Sequence, residues 1–268
     1  MVELKNRVVV VTGATGGIGK CLALGLAKRG AIVVIAARSV KNLEKLKSLI
    51  KPYNNKIFPI FLALTSRNSI KSMVDKVIKK YNRIDILING AGIGLFANIA
   101  KSNWSDIKKL FETNFFGPLL CIQLVSSHMR KRKNGLIVNI SSAISKHSLY
   151  HQGIYSASKA ALERITEAFN IEEHKNGIRT LLVIPDRTKT KFRDHVLGKR
   201  KFAKLPFKLP ESRPDYVANK IIESILKDKS LCYTSLRGRT YSAVSGISPV
   251  LINRLYKKSY YNFIKKLK

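Results

Sequence analysis

Four consecutive valines, Val8 to Val11, run straight into Thr12-Gly13-Ala14-Thr15-Gly16-Gly17-Ile18-Gly19, and a helical pattern follows at once. An apolar run with no polar alternation suits a strand covered on both faces, which is the situation inside a parallel sheet. Parallel neighbours cannot be joined by a hairpin, so the chain must cross over through a helix. The glycines between strand and helix let the backbone approach a bound group closely. The helix N-terminal amides and dipole favour an anion there. Strand, glycine turn and helix start together predict a cradle for the pyrophosphate of a dinucleotide. The spacing here is Gly-xxx-Gly-x-Gly rather than the more familiar Gly-x-Gly-xx-Gly.

The same alternation continues along the chain. Strand patterns fall at residues 7–12, 31–37, 56–64, 84–89, 135–142, 179–184 and 231–235. Helical patterns fall at 17–29, 40–51, 66–81, 105–131, 155–176 and 214–228. Strict β-α-β-α order predicts an α/β fold of the Rossmann type: a doubly wound, mostly parallel sheet of about seven strands with helices on both faces. No repeat or linker interrupts it, so residues 1–248 read as one catalytic domain. Residues 249–268 read as a basic amphipathic C-terminal helix.

Tyr155 and Lys159 lie four residues apart in a helical segment, so both side chains share a face. A phenol titrates near ~10, and a fixed neighbouring cation could lower that by roughly 1–3 units. The pair therefore predicts a proton donor or acceptor for a substrate oxygen. The second strand ends Ile35-Ala36-Ala37-Arg38 with no carboxylate at the position that would bind adenosine ribose hydroxyls. Arg38 can pair with a 2′-phosphate instead, which favours NADP(H) over NAD.

Taken in order, these motifs resemble the short-chain dehydrogenase/reductase family, across roughly residues 5–235. Thr12-Gly13 through Gly17-Ile18-Gly19 is similar to its cofactor loop, and Asn89-Gly90-Ala91-Gly92 to its segment after the fourth strand. Asn114 sits in Thr113-Asn114-Phe115-Phe116-Gly117, and Ser142 lies thirteen residues before Tyr155. The resemblance implies that Ser142, Tyr155, Lys159 and Asn114 are catalytic. Tyr155 would protonate the developing alkoxide, Lys159 would lower its pKa and hold the nicotinamide ribose, and Ser142 would hydrogen-bond the substrate oxygen. Asn114 would position a water that relays protons to Lys159. It implies cofactor contacts from Gly13, Thr15, Gly17, Ile18, Gly19, Arg38, Asn89, Ala91, Gly92, Tyr155, Lys159, Pro185, Thr188 and Thr190. Three positions depart from the pattern. Ala63 and Gly90 alter adenosine-side contacts, and Asp186 replaces a glycine after Pro185, which changes the backbone beside the nicotinamide carboxamide. A Pro-Asp pair at that point is similar to 3-ketodihydrosphingosine reductases, as is the Gly-Ile-Gly-Lys-Cys helix start.

The chain carries 50 Lys+Arg against 16 Asp+Glu, a net charge of +34. Codon bias accounts for scattered lysines, but not for local concentrations. Residues 187–213, at the substrate-loop position, hold ten basic and two acidic residues, interleaved with Phe192, Val196, Leu197, Phe202, Leu205, Phe207 and Leu209. An acyl or anionic carbonyl substrate would suit such a loop, as would simple solvation. No nucleic-acid-reading motif is present. The tail repeats apolar residues at helical spacing among six cations and no acid. It could lie on an anionic membrane surface, or pack on its own domain or on a dimer partner, and packing is the favoured expectation. Three widely spaced cysteines and no apolar run of spanning length imply a reducing, cytoplasmic setting without metal. The family implies a homo-oligomer, dimer or tetramer. The competing reading is a non-catalytic nucleotide-binding or regulatory protein with a basic interaction surface.

Overall fold

A computed structural model describes residues 3–198 and 210–265, with backbone alone at 249, 251, 255, 259 and 262–265. The first half runs β1 (Val8–Thr12), α1 (Gly17–Ala27), β2 (Ile32–Ala37), α2 (Val40–Ile50), β3 (Ile57–Phe61), α3 (Arg67–Tyr81) and β4 (Ile86–Asn89). Then come a short β5 (Leu95–Phe96), α4 (Trp104–Phe111), α5 (Gly117–Arg132), β6 (Gly135–Ile140), α6 (Gly153–Glu172) and β7 (Ile178–Ile184). The chain ends with β8 (Leu197–Gly198), α7 (Pro214–Leu226), β9 (Leu231–Tyr233), α8 (Leu236–Ile247) and α9 (Pro249–Lys265).

Seven strands form one sheet in the order β3-β2-β1-β4-β6-β7-β9, and every pairing is parallel. The valine run shows why. Val9 and Val11 belong to the core on the face of α1, α2 and α7, with Leu22, Leu26, Leu43, Ile50, Val217 and Ile221. Val8 and Val10 belong to the opposite core, with Ile70, Val77, Cys121 and Val125 of α3 and α5. Successive strand side chains point to opposite faces, so a strand buried on both sides must be apolar at every position.

The strand order reverses between β1 and β4, and such a switch point opens a crevice at the C-terminal strand ends. The glycine turn, Asn89, Ser142 and Pro185 follow β1, β4, β6 and β7, so all four arrive at this rim. The helical stretch expected at 105–131 is one run broken by a π turn, Glu112–Phe116. A helix over 236–247 and the small β5–β8 pair were not anticipated.

Candidate active site

The glycine turn is shaped by close backbone approach. Gly13 has φ +68°, and a Cβ there would meet Ala91 Cα at 2.7 Å. A Cβ on Gly19 would collide with the Gly13 carbonyl, and one on Gly17 with the Thr190 side chain. Gly16 caps α1 without any side-chain hydrogen bond, and no acidic residue sits in the first turn. The first amides of α1 therefore keep their donors for an incoming anion. Ile18 and Thr15 are half-buried beside them. This is a fit for a dinucleotide pyrophosphate. Thr12 knits the turn to the next loop: its Oγ1 accepts from Gly90 N at 3.1 Å and Ala91 N at 3.3 Å. Asn89 turns inward, donating to Asn139 Oδ1 at 2.8 Å. Arg38 stands exposed directly after β2.

On the other side of the crevice, α6 presents Tyr155 and Lys159, both buried. Ser142 hydrogen-bonds the Tyr155 phenol. Burial pushes that phenol up to about 12, and the Ser142 bond pulls the other way. Lys159 is pushed down to about 8 by burial, opposed by the charge of Glu163. The expected lowering of the phenol by the ammonium is not what this arrangement produces. Lys159 Nζ donates instead to the Ile140 carbonyl at 2.9 Å, and desolvation dominates both groups. A phenol so raised stays protonated at neutral pH, as a proton donor must.

Asn114 owes its inward aim to the π turn. One extra residue per turn rotates it out of the α4–α5 helical face. Its Oδ1 accepts from Ile93 N at 2.9 Å, and its Nδ2 donates to Ile93 O at 2.9 Å and Ser158 Oγ at 3.1 Å. It thus ties the loop after β4 to α6. Gly92 completes the fit: a Cβ there would lie 3.3 Å from Lys159 Nζ and 3.4 Å from Asn114 Oδ1.

Glu163, one turn beyond Lys159 on the same face, was missed in the sequence although the i+4 rule points to it. It is 1% exposed. It accepts from Ser141 Oγ at 2.7 Å and from Ser145 Oγ, and pairs with Lys146 Nζ at 2.8 Å. The carboxylate is thus held beneath the loop that carries Ser142.

After β7, Pro185 accepts from Ala143 N at 2.9 Å, which sets this turn beside Ser142. Asp186 does more than reshape backbone beside a nicotinamide. Its Oδ2 accepts from Arg237 Nε at 2.7 Å and Ser235 Oγ at 3.0 Å, while Oδ1 accepts from its neighbour Arg187 N. Arg237 also donates to Pro210 O at 2.8 Å. The aspartate is a clasp onto α8, a role no glycine could take. Thr188 Oγ1 donates to Asp186 O, and Thr190 caps the following turn at Phe192 N. The Phe192 ring sits 5.8 Å from the Tyr155 ring. Phe202, Leu205, Phe207 and Leu209 of the expected acyl-binding loop lie outside the described residues.

The tail helix packs on its own protein. Tyr256 Oη donates to Tyr241 Oη at 2.9 Å, and Tyr241 Oη donates to His147 O at 2.8 Å. The Tyr260 ring lies 5.2 Å from that of Tyr150. Among the described residues no helix is long and apolar enough to cross a membrane, and no three His, Cys, Asp or Glu could hold a metal.

Comparisons with known proteins bear on the family and the fold. The family model "short chain dehydrogenase" matches residues 7–201. The chain is 36% identical over 183 residues to 3-oxoacyl-(acyl-carrier-protein) reductase FabG of Thermotoga maritima, covering 68% of this chain and 74% of that protein. It is 33% identical over 193 residues to 3-ketodihydrosphingosine reductase of Bacteroides thetaiotaomicron, covering 72% and 68%. Fatty acyl-CoA reductase of Acinetobacter baylyi is 31% identical over 259 residues, 94% of this chain and 84% of that one. A short chain dehydrogenase/reductase from Burkholderia phymatum, solved with NAD, shares the fold at a TM-score of 0.85, with 20% identity, covering 94% and 96% of the two chains.

Proposed function

This chain belongs to the short-chain dehydrogenase family, and on that premise we propose that it is an NADP(H)-dependent carbonyl reductase acting on a lipid-like or acyl ketone. Oxidoreductase chemistry with a nicotinamide dinucleotide is common to the family. The preference for NADP(H), the substrate and the residue roles are our reading. The observation that carries it is the convergence of Ser142, Tyr155 and Lys159 on the rim opposite the glycine cradle.

When bound, the dinucleotide supplies the hydride. Gly13, Gly17, Gly19 and the first amides of α1 would hold its pyrophosphate, with Thr190 closing over Gly17. Arg38, with no carboxylate beside it, would take the 2′-phosphate. Ser142 holds the Tyr155 hydroxyl, and the two donors would share the substrate oxygen. Tyr155, raised to about 12 by burial, arrives protonated and gives its proton as the oxygen gains charge. Lys159, lowered to about 8, can release a proton near neutrality and so replenish the phenol. Asn114 and Glu163 hold the loop and helix in place around these groups. A lipid-like or acyl substrate is favoured by three reductase relatives, named for a 3-oxoacyl-(acyl-carrier-protein), a 3-ketodihydrosphingosine and a fatty acyl-CoA.

The test is NADPH consumption over a panel of β-ketoacyl thioesters and aliphatic ketones. Tyr155→Phe should lower kcat by about 10³-fold, within the range general acid catalysis supplies, while NADPH binding by fluorescence is retained. Turnover by that variant at a near wild-type rate would overturn the mechanism.

A further inference from the structure

The segment from Arg187 to Phe192 crosses the candidate site. It starts beside Ser142, lays Thr190 over Gly17 and sets Phe192 against Tyr155. At its two ends stand guanidinium groups, Arg187 and Arg193. Arg187 donates one Nη to Glu211 Oε1 at 2.7 Å. Its Nε and its other Nη are buried and have no hydrogen-bond partner. Buried donors are almost always paired, so two orphans on one side chain point to a missing acceptor. The carboxylate already present does not fill that role. Glu211 serves one edge of Arg187 and is held below its ordinary range first by that bond, with the charges of Arg187, Arg193 and Lys189 adding to it. Three cations thus surround one carboxylate. Arg193 is itself half-buried, and burial together with the nearby Arg187 charge lowers its pKa. The Glu211 charge opposes that lowering, yet it leaves the Nε and second Nη of Arg187 without an acceptor.

We propose that Arg187, with the Arg193 charge nearby, forms an oxoanion subsite next to the segment that carries Phe192 to Tyr155, taking a carboxylate or phosphate carried by the carbonyl substrate. The subsite rests on the reductase reading above and deepens it, since it names the charge the substrate brings. Charged hydrogen bonds of this kind are short and strong, and planar guanidinium matches a carboxylate or phosphate better than ammonium does.

The experiment measures KM and kcat with NADPH for ω-keto acids of increasing chain length, for their methyl esters and for acetoacetyl-CoA, in wild type, Arg187→Gln and Arg193→Gln. The expected result is a rise in KM of about tenfold for the best keto acid or for the thioester. Ester kinetics and NADPH affinity should change less than about twofold. A rise confined to keto acids assigns the anion to the substrate's own carboxylate, and one confined to acetoacetyl-CoA assigns it to a carrier phosphate. Equal loss on acids and esters overturns the subsite, because the arginines would then be structural. A weakened NADPH affinity overturns it in favour of the cofactor. If wild type reduces no ketone, the reductase reading fails separately. In that case inorganic phosphate decides: it should raise the Tm of wild type and not of Arg187→Gln, and equal shifts sink the subsite.

Discussion

The two walls of the candidate site are built from different materials. The wall after β1 is backbone and small residues: Gly13 against Ala91, Gly19 against Gly13, Thr12 bonded to two successive amides. The wall after β7 is charge on charge: Asp186 to Arg237, Arg187 to Glu211, with Arg237 reaching back to Pro210. Steric fit in the first wall tolerates almost no change at Gly13 and Gly19, since the nearest neighbour of each missing Cβ is main chain. Ion pairs in the second are partly solvated and individually modest. On the proposed reading the rigid wall would hold the dinucleotide and the adjustable one would discriminate among substrates.

The sharpest way to break that contrast is Gly19→Ala. Its methyl would strike the Gly13 carbonyl, so the turn must shift. Overpacking of this sort costs about 1–3 kcal/mol. Dinucleotide affinity should fall by at least about tenfold by fluorescence titration. Unchanged affinity would mean that the turn is not a steric fit. Arg38→Asp comes next. It should reverse the preference between NADPH and NADH by about tenfold or more in kcat/KM, and an unaltered ratio would show that the 2′-phosphate is read elsewhere.

Between the two walls, on α6, Glu163→Gln keeps the shape but removes the charge that opposes the desolvation of Lys159. The alkaline limb of the pH–kcat/KM profile should move down by about one unit. A profile that does not move would make Glu163 a packing group only. Arg237→Gln opens the Asp186 clasp. With Arg237 partly exposed, the loss is about 1 kcal/mol, or roughly 2–4 °C in Tm, and KM should rise more than kcat falls. A fall in kcat alone would place the clasp in the chemistry rather than in substrate binding.

A further effect concerns stability as a function of pH. Lys159 titrates at about 8 when folded against an ordinary 10.5. Between those values the unfolded chain holds the extra proton, so this group makes the protein more stable as pH rises from 8 toward 10.5. The stability difference between Lys159→Met and wild type should therefore narrow over that window in urea titrations at fixed pH. Tyr155, raised to about 12 from 10, works in the opposite direction only above pH 10.

Much of this was legible in the residues themselves. Every strand expected in the main sheet is present, because a strand buried on both faces must be apolar throughout, as β1 is. The Tyr155–Lys159 pair was legible through helical spacing, and Glu163 was available by the same rule but not drawn. The tail showed its amphipathic pattern, and packing through Ile252, Tyr256 and Tyr260 followed the favoured of its two expectations.

Local periodicity and backbone sterics determine strands, helices and the glycine cradle, since each depends on neighbours within a few residues. Only the tertiary structure decided the rest. The π turn that aims Asn114 inward has no pattern of its own, and its amide finds Ile93 and Ser158 across the fold. Asp186 and Arg237 meet across 51 positions, and nothing in either residue's surroundings announces the other. The pKa values of Tyr155 and Lys159 were set by burial, which no spacing rule contains: desolvation depends on everything packed around a group, and only the folded chain specifies that.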